Sequence, residues 1–291
     1  MSADNTQLRS RTIVLPGRGG ETSAWEMGPP DRPIDVIFSH ANGFNGRTYR
    51  TIVEPLAERS RVLLLDQRGH GRSRLPANPA ETRTSWSDLV DDLGAILEVL
   101  EVRDVVLAGH SMGGTVSTMT AAAAPGRVRG LVLLDPVILS PDMALRGEGS
   151  PDSPLVAGAQ RRRATFPDMA SVVAAYTGRG AFQNWTPDML ADYVADGFRP
   201  TDDGLVELTC TPAWEASGFL AHWSDPWPAF DALRMPMHIL RAEVGSTCRI
   251  EGHEARVLSG GKVRLEIIAD TSHFLPMERP DLVRDALLKM L

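Results

Sequence analysis

The sequence predicts an α/β chain: a doubly wound, mostly parallel sheet of about eight strands with an inserted, mostly helical lid. Three observations carry this. Short runs that are apolar throughout alternate with longer segments of helical period. The alternation lapses after Asp135 and resumes after Phe230. The run DVVLA leads directly into Gly109-His110-Ser111-Met112-Gly113 and then into a helical stretch. The expected division is a core from residues 1–135 and 231–291, with residues 136–230 as the lid. A chain of 291 residues is long enough for one core plus an insertion of that size.

In chain order, Thr12 to Leu15 and Ser23 to Met27 are expected to pair as antiparallel strands before the parallel set begins. Ile34 to Ser39, Arg61 to Asp66, Asp104 to Gly109 and Val128 to Asp135 follow as strands. They lack apolar/polar alternation, as strands covered on both faces do. Parallel strands need crossovers. Tyr49 to Arg59, Trp86 to Leu100 and Met112 to Ala124 have the length and period to supply them as helices. Ser85, three residues before Asp88, comes close to a capping box for the second. Beyond Asp135 strand signals fade, and Pro167 and Pro187 mark expected first helical turns, the latter with Thr186 as N-cap. Met237 to Arg241, a helix near Arg249 to Leu258, Val263 to Ile268 and a terminal helix from Pro280 complete the alternation. Four of the six tryptophans (Trp185, Trp214, Trp223, Trp227) fall in the insertion. They either line an apolar pocket or pack the lid onto the sheet; the sequence leaves both open.

Composition narrows the function. With 30 Lys+Arg against 37 Asp+Glu the net charge is −7, and the pI is near 5.5. That balance provides no electrostatic footprint for nucleic acid or anionic lipid. Two cysteines, Cys210 and Cys248, exclude a disulfide scaffold. Met1 to Arg11 lacks the pattern of a secretory signal, and no run reaches the 18 or so apolar residues of a membrane span. The expectation is a soluble, cytoplasmic protein without nucleic-acid or membrane partners. No histidine pair has the spacing of a zinc site, and no dinucleotide or P-loop fingerprint occurs, so neither metal nor cofactor is expected.

The chemistry centres on Ser111. A sharp strand-to-helix turn forces the serine into a strained conformation, requires small neighbours, and aims the free N–H groups of a helix start at any developing negative charge. Gly109, Gly113 and Gly114 meet the steric demand. The alternative is a glycine-rich turn that contains a serine by chance; a strand before it and a helix after it argue otherwise.

Three further segments accompany this turn. They are Ser39-His40-Ala41-Asn42-Gly43-Phe44, Asp66-Gln67-Arg68-Gly69-His70-Gly71-Arg72-Ser73 and Thr271-Ser272-His273-Phe274. With GHSMGG they resemble, in order, the His-Gly loop, the D-x-R-G-x-G-x-S segment, the nucleophile turn and the histidine loop of the α/β-hydrolase family. The resemblance runs from about Thr12 to the C-terminus. It implies the α/β-hydrolase fold and a serine hydrolase, esterase-like, with a helical lid, acting on a small-molecule acyl substrate. His273 is then the general base. Met112 and Asn42 supply the oxyanion-hole amides, with Ala41 and Phe44 as alternatives for the second. The acid departs from the pattern: the stretch Leu240 to Ser246, where the family most often carries an Asp, has none. Asp135, at the end of the sixth strand, and Glu243 are the two candidates.

Other groups draw structural expectations. His238 sits in a strand and packs in the core; His40 and His70 brace the glycine-rich loops; His222 lies on the lid surface; Asp66 ties loops together; and Arg161-Arg162-Arg163 forms a solvated helix face. Among activities, hydrolysis of carboxylic esters of small to medium size leads. Lactone hydrolysis, carbon–carbon hydrolysis and acyl transfer can use the same residues. Dehalogenation and epoxide opening, which the resemblance ties to an Asp nucleophile, are disfavoured by Ser111. A ligand-binding member with weak or no catalysis is a reading of another class, motivated by the missing Asp.

Overall fold

The computed structural model describes residues 5–81, 83–140, 152–221, 224–260 and 262–291. Strands β1 (Arg9–Leu15), β2 (Gly20–Met27), β3 (Val36–Ser39), β4 (Val62–Leu65), β5 (Val105–His110) and β6 (Val128–Leu134) come first. Three short ones follow: β7 (Thr165–Phe166), β8 (Phe198–Pro200) and β9 (Val206–Leu208). Then come β10 (Met237–Ala242) and β11 (Val263–Ile268). The main sheet has eight strands in the order β1-β2-β4-β3-β5-β6-β10-β11. It is parallel from β4 to β11, and β2 and β1 add an antiparallel edge.

The uniformly apolar strands now have their cause. Val106 and Ala108 of β5 face one buried cluster with Phe38, Leu64, Val132 and Leu134; Val105 and Leu107 face a second with Ile37, Leu63, Leu131 and Leu133. Each face is covered. Helices α1 (Arg50–Val53), α2 (Ser87–Val99) and α3 (Met112–Ala123) lie between strands of the first half. Between β6 and β10 come α4 (Pro154–Gln160), α5 (Met169–Tyr176), α6 (Pro187–Gly197), α7 (Pro212–Leu220) and α8 (Trp227–Ala232). The chain ends with α9 (Glu254–Leu258), α10 (Leu275–Glu278) and α11 (Pro280–Met290). Ile52 and Val53 of α1 and Val283 and Leu287 of α11 join the first cluster, while Leu89 and Leu93 of α2 and Val116 of α3 join the second. Each fully buried side chain of this kind contributes about 1.5–3 kcal/mol. None of the described helices is long and apolar enough to cross a membrane.

Several local expectations are corrected. The helix expected over Tyr49 to Arg59 is a single α-turn between two 3-10 turns, because Pro55 enters the first turn of Glu54–Leu56. The helix near Arg249 begins only at Glu254, after Gly252 takes a φ of 79°. No capping box forms at α2: Trp86 is the N-cap residue, Ser85 bonds Ser87, and the Asp88 carboxylate takes Arg83 and the Leu89 amide. Pro187 does open α6 with Thr186 capping the Met189 amide, but α5 opens after Pro167, at Asp168, which caps Ser171. The segment between β6 and β10 also holds a three-stranded antiparallel sheet, β7-β9-β8, whose strands of two or three residues are too short to leave a period in the sequence.

This segment is fastened to the main sheet by charge and aromatic contacts. Arg47 and Arg50 both grip Asp192 of α6, at 2.9 and 2.7 Å, and Trp25 Nε1 donates to Asp196 on the same helix. Trp214 of α7 donates to the Arg68 carbonyl at 3.0 Å beneath the Arg83 guanidinium.

Candidate active site

The site lies where β3, β5, β6, β10 and β11 end. Chain passing from β5 into α3 turns at Ser111, whose φ of 56° and ψ of −122° are strained for a residue with a side chain. The glycines around it are required by close approach. A Cβ on Gly109 would lie 2.3 Å from the Gly113 carbonyl, and one on Gly113 would lie 2.2 Å from the Ser39 carbonyl. The same contact seats the loop after β3 against the first turn of α3.

His273 sits in the loop after β11. That loop is held by Thr271 Oγ1 on the Ile268 carbonyl (2.7 Å) and by Ser272, whose amide and hydroxyl both donate to Glu278. Its ring spans the site: Nε2 is 3.0 Å from Ser111 Oγ, and Nδ1 is 2.6 Å from Asp135 Oδ2. Asp135 is fully buried just past β6, with φ 42°. Oδ1 accepts from the Ala242 amide (2.9 Å) and Ser246 Oγ (2.5 Å); Oδ2 accepts also from the Thr247 amide (2.9 Å). Burial opposes its charge, but the bonds from His273, Ser246 and Thr247 more than offset this and hold the carboxyl below its ordinary value. A carboxylate so placed fixes Nδ1–H as the imidazole tautomer and leaves Nε2 free to accept the Ser111 proton.

Glu243 is not brought to His273. It is exposed past the end of β10, and its carboxylate accepts the Asp270 amide at 2.9 Å. The stretch after β10 instead contributes Ser246 and Thr247 as donors to Asp135.

The loop after β3 distinguishes among the amides considered for the oxyanion hole. The Ala41 amide donates to Tyr49 Oη (3.2 Å), that of Gly43 to His70 Nε2 (3.0 Å) and that of Phe44 to the Ala41 carbonyl (3.1 Å). Among the described residues no acceptor meets the Asn42 amide, nor that of Met112 at the start of α3. The Asn42 side chain is tethered to the Glu215 carbonyl of α7 at 2.8 Å.

The remaining candidates lie as follows. Buried His40 donates through Nδ1 to the Ala41 carbonyl and accepts the Gln67 amide on Nε2; burial lowers its pKa to about 4. His70 bridges the Arg68 carbonyl and the Gly43 amide, and burial with His40 nearby keeps it well below its ordinary value. Asp66 accepts the amides of Gly46 (2.8 Å) and Arg72 (2.9 Å). His238 is buried in β10, 2.5 Å from Glu266. His222 and Trp223 lie outside the described residues. The arginine triplet is corrected: the chain has left α4 by Arg161, so Arg162 turns inward to Glu215 (2.6 Å) and Tyr193 Oη, while Arg163 covers the Phe166 ring. Of the tryptophans, Trp214 and Trp227 anchor backbone carbonyls, whereas Trp185 packs edge-on against Phe44 at 5.2 Å. Phe44 lies 6.2 Å from Phe274 and from the His110 ring, so an aromatic wall runs from Trp185 to the histidine loop.

Tyr49, His110, Ser246 and Thr247 are buried or partly buried polar groups at the site to which the sequence reading gives no role. The only available hint for His110 is its place inside the G-x-S-x-G turn.

A family model described as the alpha/beta hydrolase family matches residues 36–286. The chain belongs to that family. It is 29% identical to the 2-(acetamidomethylene)succinate hydrolase of Mesorhizobium japonicum over 208 residues, which is 72% of this chain and 70% of that protein. Over 110 residues it is 40% identical to a proline iminopeptidase of Neisseria meningitidis, covering 37% of this chain and 34% of that one. A crystal structure of E-2-(acetamidomethylene)succinate hydrolase superposes with a TM-score of 0.79 at 23% identity, covering 98% of this chain and 99% of that chain, and shows the shared fold.

Proposed function

We propose that the protein is a serine hydrolase that cleaves carboxylic esters of small to medium size through an acyl-enzyme on Ser111. The observation that carries this is the unbroken line from Asp135 Oδ2 to His273 Nδ1 (2.6 Å) and from Nε2 to Ser111 Oγ (3.0 Å). In this reading His273 takes the Ser111 proton as Oγ attacks the carbonyl carbon, and Asp135 stabilises the imidazolium that forms. The amides of Met112 and Asn42 hold the oxyanion of the tetrahedral intermediate. The proton passes from His273 to the leaving oxygen, the acyl-enzyme remains, and a water deprotonated by His273 releases the acid. The segment 136–230 is proposed as the lid, with Trp185 and Phe44 forming an apolar wall beside the acyl group. Lactone hydrolysis, carbon–carbon hydrolysis and acyl transfer need no different residues.

A second reading comes from the relative in Mesorhizobium japonicum: a substrate resembling 2-(acetamidomethylene)succinate, cleaved by the same Ser111 machinery. Intact-mass analysis with a fluorophosphonate probe, run beside Ser111→Ala, tests what the two readings share. A single adduct that disappears in the variant supports an activated serine. No adduct on folded protein removes both and favours a ligand-binding role. A panel of p-nitrophenyl esters, lactones and the acetamido compound then separates them by kcat/KM.

A further inference from the structure

Two fully buried polar side chains, Tyr49 and His110, have no part in the line from Asp135 to Ser111, yet they touch both loops that flank it. Tyr49 leads into α1, and His110 closes β5 immediately before the serine. The hydrogen bonds between them admit only one direction. The Ala41 amide has a proton to give and donates to Tyr49 Oη at 3.2 Å. The His273 carbonyl at the far side of the ring can only accept, so neutral His110 carries its proton on Nε2, and the Tyr49 proton is directed to the bare Nδ1, 2.8 Å away. His110 Nε2–H donates to the backbone carbonyl of His273 at 2.8 Å. Burial, with His273 nearby, lowers the His110 pKa to about 3, and burial pushes the Tyr49 phenol up, so both stay neutral throughout the working range.

We propose that Tyr49 and His110 are positioning residues: a single hydrogen-bond chain, Ala41 amide to Tyr49 to His110 to His273 carbonyl, sets the oxyanion loop and the histidine loop relative to Ser111. The proposal rests on the serine-hydrolase reading and deepens it. Ala41 immediately precedes Asn42, the residue whose amide is unclaimed, so the Tyr49 hydroxyl fixes the peptide next to that donor. At the other end, the bond falls on the backbone of the residue whose ring must meet Ser111 Oγ and Asp135 together. Partners 61 and 163 residues apart in the chain are thus joined through one ring. Errors of about 1 Å in such a constellation cost on the order of a hundredfold in rate, so this bracing acts on turnover and leaves substrate binding alone.

The alternative is that the two groups only satisfy each other inside the core. Three full-length variants separate the possibilities. Tyr49→Phe removes the hydroxyl that joins the Ala41 amide to His110 Nδ1. His110→Asn keeps a polar group near Tyr49 but cannot reach the His273 carbonyl. His110→Gln places its amide nitrogen where Nε2 stood and restores that donor. Each is assayed for kcat and KM on a p-nitrophenyl ester, for fluorophosphonate labelling rate, and for affinity to a boronic acid, which mimics the tetrahedral adduct. Tyr49→Phe and His110→Asn are expected to lose about tenfold to a hundredfold in kcat and labelling rate, with KM nearly unchanged and boronate affinity falling by the same factor. His110→Gln is expected to recover most of the loss. If Tyr49→Phe labels as fast as the parent and only its melting point drops, the proposal is overturned while the Ser111 reading stands. Should Tyr49→Phe fail to fold, equal rates for His110→Asn and His110→Gln overturn it. A parent chain that never labels overturns the Ser111 reading and this proposal together.

Discussion

Strands β6 and β10 lie side by side in parallel register, Leu134 opposite Leu240, and each is followed by a carboxylate. Asp135 comes directly after β6 and Glu243 directly after β10, yet only Asp135 reaches His273. The difference is in what surrounds each. Asp135 turns inward with φ 42° and finds donors in Ala242, Ser246, Thr247 and His273. Glu243 points to solvent and takes one amide, from Asp270. A buried carboxylate is tolerated only when hydrogen bonds replace the water it has lost. The two strand ends therefore divide the work: β6 supplies the charge and the turn after β10 supplies the donors that make the charge tolerable.

Asp135→Asn removes the charge that β6 supplies. An amide nitrogen facing His273 favours the wrong imidazole tautomer, and kcat is expected to fall by up to about ten-thousandfold with the fold retained. Steady-state kinetics on the best ester measures it; a loss under about tenfold would move the acid elsewhere. Next in size are the donors. Ser246→Ala removes the 2.5 Å bond to Oδ1, and Thr247→Val removes the hydroxyl shared among the Asp135 carbonyl (2.9 Å), Oδ2 and His273 Nδ1 (3.3 Å each). Hydrogen bonds to a charged group contribute about 1.5–3 kcal/mol, so each variant is expected to lose about tenfold in kcat and to melt lower. If both match the parent in rate and in melting, the donors are incidental.

The same contrast has a pH signature in stability. The Asp135 carboxyl is held below the unfolded value of 3.8. Its contribution is therefore present above that pH and lost as the pH falls through the lower, folded value, where the unfolded chain binds the extra proton. Urea melts at about pH 5 and about pH 3 are expected to show a steeper loss for the parent than for Asp135→Asn. Equal losses would mean that Asp135 is not held low in the folded chain.

Much of this was legible in the chain, for local reasons. Val105–His110 reads as a strand because both faces of the sheet are covered over all six residues, whereas Val263–Ile268, the partly exposed edge strand, reads as one from its run of β-branched and apolar residues. The Ser111 turn was legible because its close packing leaves room only for glycine, a Cβ on Gly109 or Gly113 falling 2.2–2.3 Å from a backbone carbonyl. What the sequence left open depended on direction. Asp135 and Glu243 are equivalent as letters following strands, and their difference is a φ angle and a set of donors from 107 to 138 residues away. Arg162 read as a solvated charge because its partner Glu215 lies 53 residues on. Asn42, Ala41 and Phe44 were separable only once the bonds of their amides were known, since Tyr49 and the Ala41 carbonyl claim two of the three.

At the end of β10 the matching substitution is expected to change little. Glu243→Gln keeps an amide oxygen able to accept from the Asp270 amide in the turn where Asp270 takes a φ of 58°. The side chain is exposed, so the substitution is expected to change stability by no more than about 0.5 kcal/mol. Because Glu243 makes no bond to His273, kcat and the fluorophosphonate labelling rate are expected to stay within about twofold of the parent. A large loss in rate without a loss in melting temperature would mean that the turn after β10 swings Glu243 inward during turnover, and the division of work between the two strand ends would have to be reversed. Run in the Asp135→Asn background, the same substitution asks whether Glu243 stands in when the buried acid is gone. The exposed geometry predicts that it adds no further loss.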